Sequence, residues 1–106
     1  MQLAFESQAL RAICENERVA VENLGIEVAE ALKKRLSDLR AAGSLTDLVA
    51  GSPRLLEGGS RLTLLLANNQ KILLVPNHRK APTAPDGSLD WTRVSRLRLI
   101  QIGVET

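Results

Sequence analysis

The residues of this chain best suited to chemistry are cations. Arg54, Arg61, Lys71, Arg79, Lys80, Arg96 and Arg98 all fall in residues 54–106, where eight Lys and Arg stand against four Asp and Glu. Residues 1–53 carry six against eight, so the charge is unevenly placed. Guanidinium and ammonium groups bind phosphate through charge and through donated hydrogen bonds. The C-terminal half is therefore expected to meet an anionic partner. The plainer alternative for each cation is a solvated or salt-bridged surface residue. His78 is the only histidine and lies next to Arg79 and Lys80 in a proline-containing stretch, Asn77 to Ser88. It reads either as a solvated loop side chain or as a proton donor, if that loop folds over a neighbouring sheet.

Other chemistry is excluded by what the chain lacks. It has no phosphate-binding glycine loop, no HExxH and no GxSxG. Cys14 is the only cysteine, so neither an internal disulfide nor a Cys/His zinc cluster is available, and a buried reduced thiol is expected. One histidine and scattered carboxylates make a poor ligand set, so no metal and no cofactor is expected. Of 106 residues, 44% are hydrophobic and 25% charged, but there is one Phe, one Trp and no Tyr. Phe5 and Trp91 cannot form the stacked aromatic platform that base-reading modules need. The N-terminus lacks a basic and then apolar leader, and no apolar run approaches the roughly 20 residues that span a bilayer. A single domain over residues 1–106, located in the cytoplasm and without a membrane partner, is expected.

Local patterning tells which elements must position the cations. Gln2 to Glu6 alternates polar and apolar residues and reads as a strand. Ser7 can cap a helix whose stripe is Leu10, Ile13, Cys14, Glu17, Ala20, Val21 and Leu24, with Glu17 the one polar intruder, ending at Gly25. A second helix follows from about Ile26 to Ala42, with Val28, Leu32, Leu36 and Leu39 on one face. The two helices are expected to form an antiparallel hairpin. A turn-rich connector to Pro53 leads to strands at Arg54–Glu57, Arg61–Ala67 and Lys71–Val75. Asn68 and Asn69 supply a two-residue hairpin turn, because Asn tolerates positive φ. A last strand runs from about Val94 to Ile102, and its apolar phase slips between Leu99 and Ile100, so both faces are covered or a bulge lies there. Alternation puts Arg96 and Arg98 on one face of it. The expected fold is α+β: an N-terminal strand, a helical hairpin and a four-stranded, mostly antiparallel sheet, with the helices on one face and the other left as the working surface.

This order resembles RelE/HigB-type toxins of type II toxin–antitoxin modules, specifically the HigB-like killer-protein branch. The resemblance is carried by Phe5-Glu6-Ser7, the segment Ala31 to Ala42, and the connector Leu45-Thr46-Asp47-Leu48 with Ala50-Gly51 and Pro53. Lys71 to Pro76 and Asp86-Gly87-Ser88-Leu89-Asp90-Trp91-Thr92-Arg93-Val94 complete it. It implies a RelE/ParE-like fold and a metal-independent, ribosome-dependent mRNA interferase that inhibits translation and is held inactive by a cognate antitoxin. In such a site the RNA 2′-OH attacks its adjacent phosphate, while cations offset the developing charge. The resemblance makes Lys71, Arg61, Glu105 and His78 the catalytic candidates, with Arg54, Arg79, Lys80, Arg96 and Arg98 as RNA-binding residues. Glu105 and Thr106 stand where the branch has Tyr and His, and Lys71 stands for an arginine. Two alternatives follow from that departure: a non-catalytic toxin-fold module that pairs with an antitoxin, or a gyrase-poisoning relative.

Overall fold

The computed structural model describes residues 1–48 and 51–104. It is an α+β fold in which three helices pack on one face of a five-stranded mixed sheet. Strand β1 (Gln2–Phe5) leads into α1 (Gln8–Glu15), α2 (Glu17–Leu24) and α3 (Ile26–Ala41). Strands β2 (Arg54–Leu56), β3 (Arg61–Leu65), β4 (Gln70–Pro76) and β5 (Arg96–Val104) follow, with sheet order β1-β5-β4-β3-β2. The four C-terminal strands form the expected antiparallel meander. The N-terminal strand adds to it in parallel alongside β5, with Leu3 opposite Leu97 and Phe5 opposite Leu99.

The helical hairpin is corrected to three helices. Asn16 leaves the helical region (φ −126°, ψ 112°), and its Oδ1 accepts from the Val19 N–H at 3.2 Å. It thereby closes α1 and caps α2 in one residue, as Ser7 caps α1 through the Leu10 N–H. The apolar spacing runs on through the break, which is why periodicity alone reads one helix there. Helix α3 follows its pattern: Val28, Leu32, Leu36 and Leu39 are all buried.

The core is aliphatic. Leu32, Leu36 and Leu39 of α3 meet Leu62, Leu64, Ile72, Leu74, Leu97 and Leu99 of the sheet. Alternation along the strands puts these side chains on the helix face, and their neighbours on the other. Asn68 and Asn69 both take positive φ (54° and 63°), and close the β3–β4 hairpin. The expected slip in β5 is a bulge: Leu73 pairs with Gln101 but Leu74 with Leu99, leaving Ile100 as the extra residue. The bulge restores Leu99 to the core face beside Ile72 and Leu74.

Residues 77–90 form no helix or strand, but they are tied down. Asp86 accepts from both the N–H and the hydroxyl of Ser88, and Asp90 accepts from Thr92 and Arg93. Trp91 is buried, and its indole N–H donates to the Gly59 carbonyl at 2.6 Å. That bond clamps the segment Asp86 to Val94 onto the connection between β2 and β3. No described helix is long and apolar enough to cross a membrane.

Candidate functional site

The sheet face turned away from the helices carries the cations. Its residues follow from register: Arg54 pairs with Thr63, Thr63 with Leu73, and Leu73 with Gln101. In the adjoining row Leu65 pairs with Lys71, and Lys71 with Gly103. Arg54 and Lys71 therefore lie one strand to either side of β3, and both line a groove of about 490 Å³ with Ser52, Pro53, Thr63 and Leu65. Thr63 forms its floor; it is 4% exposed, and its hydroxyl donates to the Arg54 carbonyl at 3.4 Å. No carboxylate lines this groove among the described residues. It can bind an anion between a guanidinium and an ammonium, with a threonine oxygen below them.

The connector that delivers Arg54 is shaped by Gly51. Its φ is +88°, and its carbonyl accepts from the Leu65 N–H at 2.6 Å. A Cβ there would sit 2.8 Å from Arg35 Cδ. Arg35 lies across the glycine, donating to Asp38 Oδ2 at 2.7 Å and to the Leu65 carbonyl at 3.3 Å.

Three further cations lie on this face, and two more follow β4. Arg61 is half-buried at the start of β3, opposite Leu56. Arg98 lies between Ala4 of β1 and Val75 of β4, with Nε 2.9 Å from Glu6 Oε2. That Nε is shielded from solvent and points off the hydrogen-bond line, so the contact is one of charge. Arg96 is exposed at the first position of β5, two residues from Arg98 and on the same face. Arg79 and Lys80 are exposed in the segment after β4.

His78 does not join the groove. Its Nε2 accepts from the backbone N–H groups of Ser95 (3.1 Å) and Arg96 (3.3 Å). Both donors converge on the same ring nitrogen, which fixes the imidazole at the start of β5. It lies seven residues beyond Lys71, past the far end of β4, a separation on the order of 20 Å at the rise of an extended strand. Hydrogen bonds hold this part of the loop against the start of β5. Glu105 lies outside the described residues, and Gly103, the partner of Lys71, precedes it by two.

Two site features escaped the sequence reading. Thr63 had a signal that could have found it, since it shares the phase of Arg61 and Leu65 within an apolar strand. Glu6 as the partner of Arg98 had none, because it depends on β1 pairing with a strand some ninety residues away.

A second cavity, of about 480 Å³, opens among the helices and is lined by Ile13, Cys14, Glu17, Ala20, Lys33 and Arg40, among others. Burial pushes the Cys14 thiol up to about 11, against the opposing pull of Arg40. A thiol so held is a poor nucleophile at neutral pH. Among the described residues no three His, Cys, Asp or Glu side chains gather to hold a metal.

No protein-family model matches the sequence, and a search of curated proteins returns no match. Among solved structures, a YoeB/ParE toxin from Agrobacterium tumefaciens superposes over 100% of both chains with a TM-score of 0.59 and 10% sequence identity. At that identity the likeness is one of fold, and this α+β chain has the fold of that toxin.

Proposed function

We propose that this protein is the toxin of a type II toxin–antitoxin pair and acts as a ribosome-dependent mRNA interferase of RelE/HigB type. The observation that carries the reading is the groove between Arg54 and Lys71 on the sheet face the helices leave open. The fold shared with a YoeB/ParE toxin supports the toxin class, and the charge of the groove supports a phosphate ligand.

In this reading an RNA phosphate lies between the Arg54 guanidinium and the Lys71 ammonium. Attack of the 2′-OH on that phosphate builds negative charge on its non-bridging oxygens, which the two cations stabilise more than they stabilise the substrate. Arg61 adds positive charge along the same face. The proton acceptor for the 2′-OH is Glu105, two residues after the partner of Lys71. His78 has no part in proton transfer, since its Nε2 is committed to two backbone donors. The antitoxin supplies an acidic, amphipathic segment that covers the groove and folds on binding.

The test is inducible expression in a bacterial host, with and without the neighbouring reading frame, and with primer extension on abundant transcripts. Growth arrest with transcripts cut only while translated, relieved by co-expression of the neighbour, is the expected result. Harmless expression with intact transcripts would overturn the nuclease reading. One observation favours a second reading, a toxin-fold protein that does not cleave RNA: the chain has no tyrosine, and its only histidine is engaged by backbone. Growth arrest with DNA breakage and intact transcripts would identify the gyrase-poisoning form of it.

A further inference from the structure

We infer that the open sheet face and the loop at its end hold two separate phosphate subsites for one single-stranded RNA, the second built from Arg96, Arg79 and Lys80 and assembled by His78. This rests on the proposed RNA substrate and adds to it a second point of attachment, and with it a minimum ligand length.

His78 ties the loop after β4 to the start of β5. Its ring accepts the N–H groups of Ser95 and Arg96 at 3.1 and 3.3 Å, while the Asn77 N–H donates to the Arg96 carbonyl at 2.8 Å. Three bonds thus fasten residues 77–78 to Ser95 and Arg96 at the start of β5. The two residues that follow His78 are Arg79 and Lys80, both exposed, and the residue it holds is Arg96, also exposed. Three cations are brought to one end of the sheet by the hydrogen bonds of one ring. None of the three has an ion-pair partner among the described residues. Three unneutralised cations at one place attract a polyanion.

Between this cluster and the groove of Arg54 and Lys71 the face is neutralised. Arg98, two residues along β5 from Arg96, is held 2.9 Å from Glu6. The β4 side chains on the same face between Lys71 and the cluster are Leu73 and Val75, both apolar. The positive charge is therefore in two patches, not a continuous stripe. Their separation, on the order of 20 Å along β4, corresponds to about six nucleotides at the ~3.4 Å rise of a stacked strand, and to fewer in an extended one. A trinucleotide reaches one patch at a time, whereas a nonanucleotide reaches both.

The experiment measures binding of fluorescein-labelled 2′-O-methyl RNA, which cannot be cleaved by its own 2′-OH, to the full chain. Oligonucleotides of three and nine residues are compared across a salt series. Extra registers alone favour the nonamer by about sevenfold; two subsites predict at least thirtyfold. Its log–log salt dependence is expected to be steeper by about 1.4–2, for two or three added phosphates at about 0.7 each. Lys80→Ala with Arg96→Ala returns the nonamer to the statistical factor and weakens the trimer by no more than about twofold. His78→Ala lowers the nonamer in the same way. Glu6→Gln uncovers Arg98 in the gap and tightens the nonamer several-fold.

A nonamer no more than sevenfold tighter than the trimer in the wild type overturns the inference. So does a nonamer unaffected by Lys80→Ala with Arg96→Ala. Intact transcripts in the expression experiment alongside a full length step would defeat the nuclease reading alone. Ribosome-dependent cleavage without the step would defeat the second subsite alone.

Discussion

Replacing Gly51 by alanine tests how the connector aims Arg54 into the groove. The backbone there has φ +88°, a region that costs an L-residue about 1–2 kcal/mol. The new Cβ would fall 2.8 Å from Arg35 Cδ and 3.0 Å from its Nε, so the arginine has to move. Moving it loosens the bonds from Arg35 to Asp38 and to the Leu65 carbonyl, worth about 1 kcal/mol together at this partly exposed position. Alanine returns about 0.5 kcal/mol by stiffening the unfolded chain. The net expectation is about 2 kcal/mol of destabilisation. Urea unfolding followed by circular dichroism, at unchanged slope, reads that difference directly. In an Arg35→Ala background the collision is absent, and the cost of Gly51→Ala should fall to about 1 kcal/mol, the backbone part alone. A cost below about 0.5 kcal/mol in the wild type, or an equal cost in both backgrounds, would refute the reasoning. Because Arg54 follows three residues later, Gly51→Ala should also weaken trinucleotide binding at the groove.

Three further outcomes are expected. Trp91→Phe keeps most of the buried ring but leaves the Gly59 carbonyl without the indole donor, and should cost about 1–2 kcal/mol in the same urea assay. For Cys14 the folded-state pKa, about 11, stands above that of the unfolded chain, so its contribution is full below the unfolded value and lost as pH rises from there towards 11. Cys14→Ala should therefore flatten part of the alkaline fall in stability, and the wild-type thiol should resist a disulfide reagent at neutral pH until the protein unfolds. Asp90 is held below the usual carboxylate range by the Thr92 hydroxyl and then by Arg93, and Asp86 by the hydroxyl and N–H of Ser88. Their stabilisation is present above the unfolded carboxylate value and is lost as pH falls through the folded one. Carboxyl chemical shifts should show both titrating below the usual aspartate value.

Much of the fold was legible because it is written in local patterns. The stripe Val28, Leu32, Leu36 and Leu39 has helical spacing and is buried as such. Asn68-Asn69 announces its own turn, and the adjacent apolar residues Leu99 and Ile100 announce the bulge. The break at Asn16 was hidden, because the apolar phase continues across it and a capping side chain looks like any polar residue on a helix surface. The parallel pairing of β1 with β5 leaves no local mark, since it joins the two ends of the chain. The site divides along the same line. Alternation identifies Arg96 and Arg98 as neighbours on one face, but not that Glu6 neutralises the second of them. Composition marks His78 as the one imidazole available, but only the tertiary structure spends it on two backbone N–H groups. The segment Asp86 to Val94, the most specific part of the family resemblance, is built into the framework through Trp91 and the two aspartates.

The central claim is that the groove between Arg54 and Lys71 acts on messenger RNA at the ribosome. It is tested most directly by adding the purified chain to a reconstituted translation reaction and mapping transcript ends. Cleavage of translated message only is expected, lost with Lys71→Ala and with Arg54→Ala. Intact message at saturating protein would contradict it, and so would cleavage that persists in Lys71→Ala with Arg54→Ala.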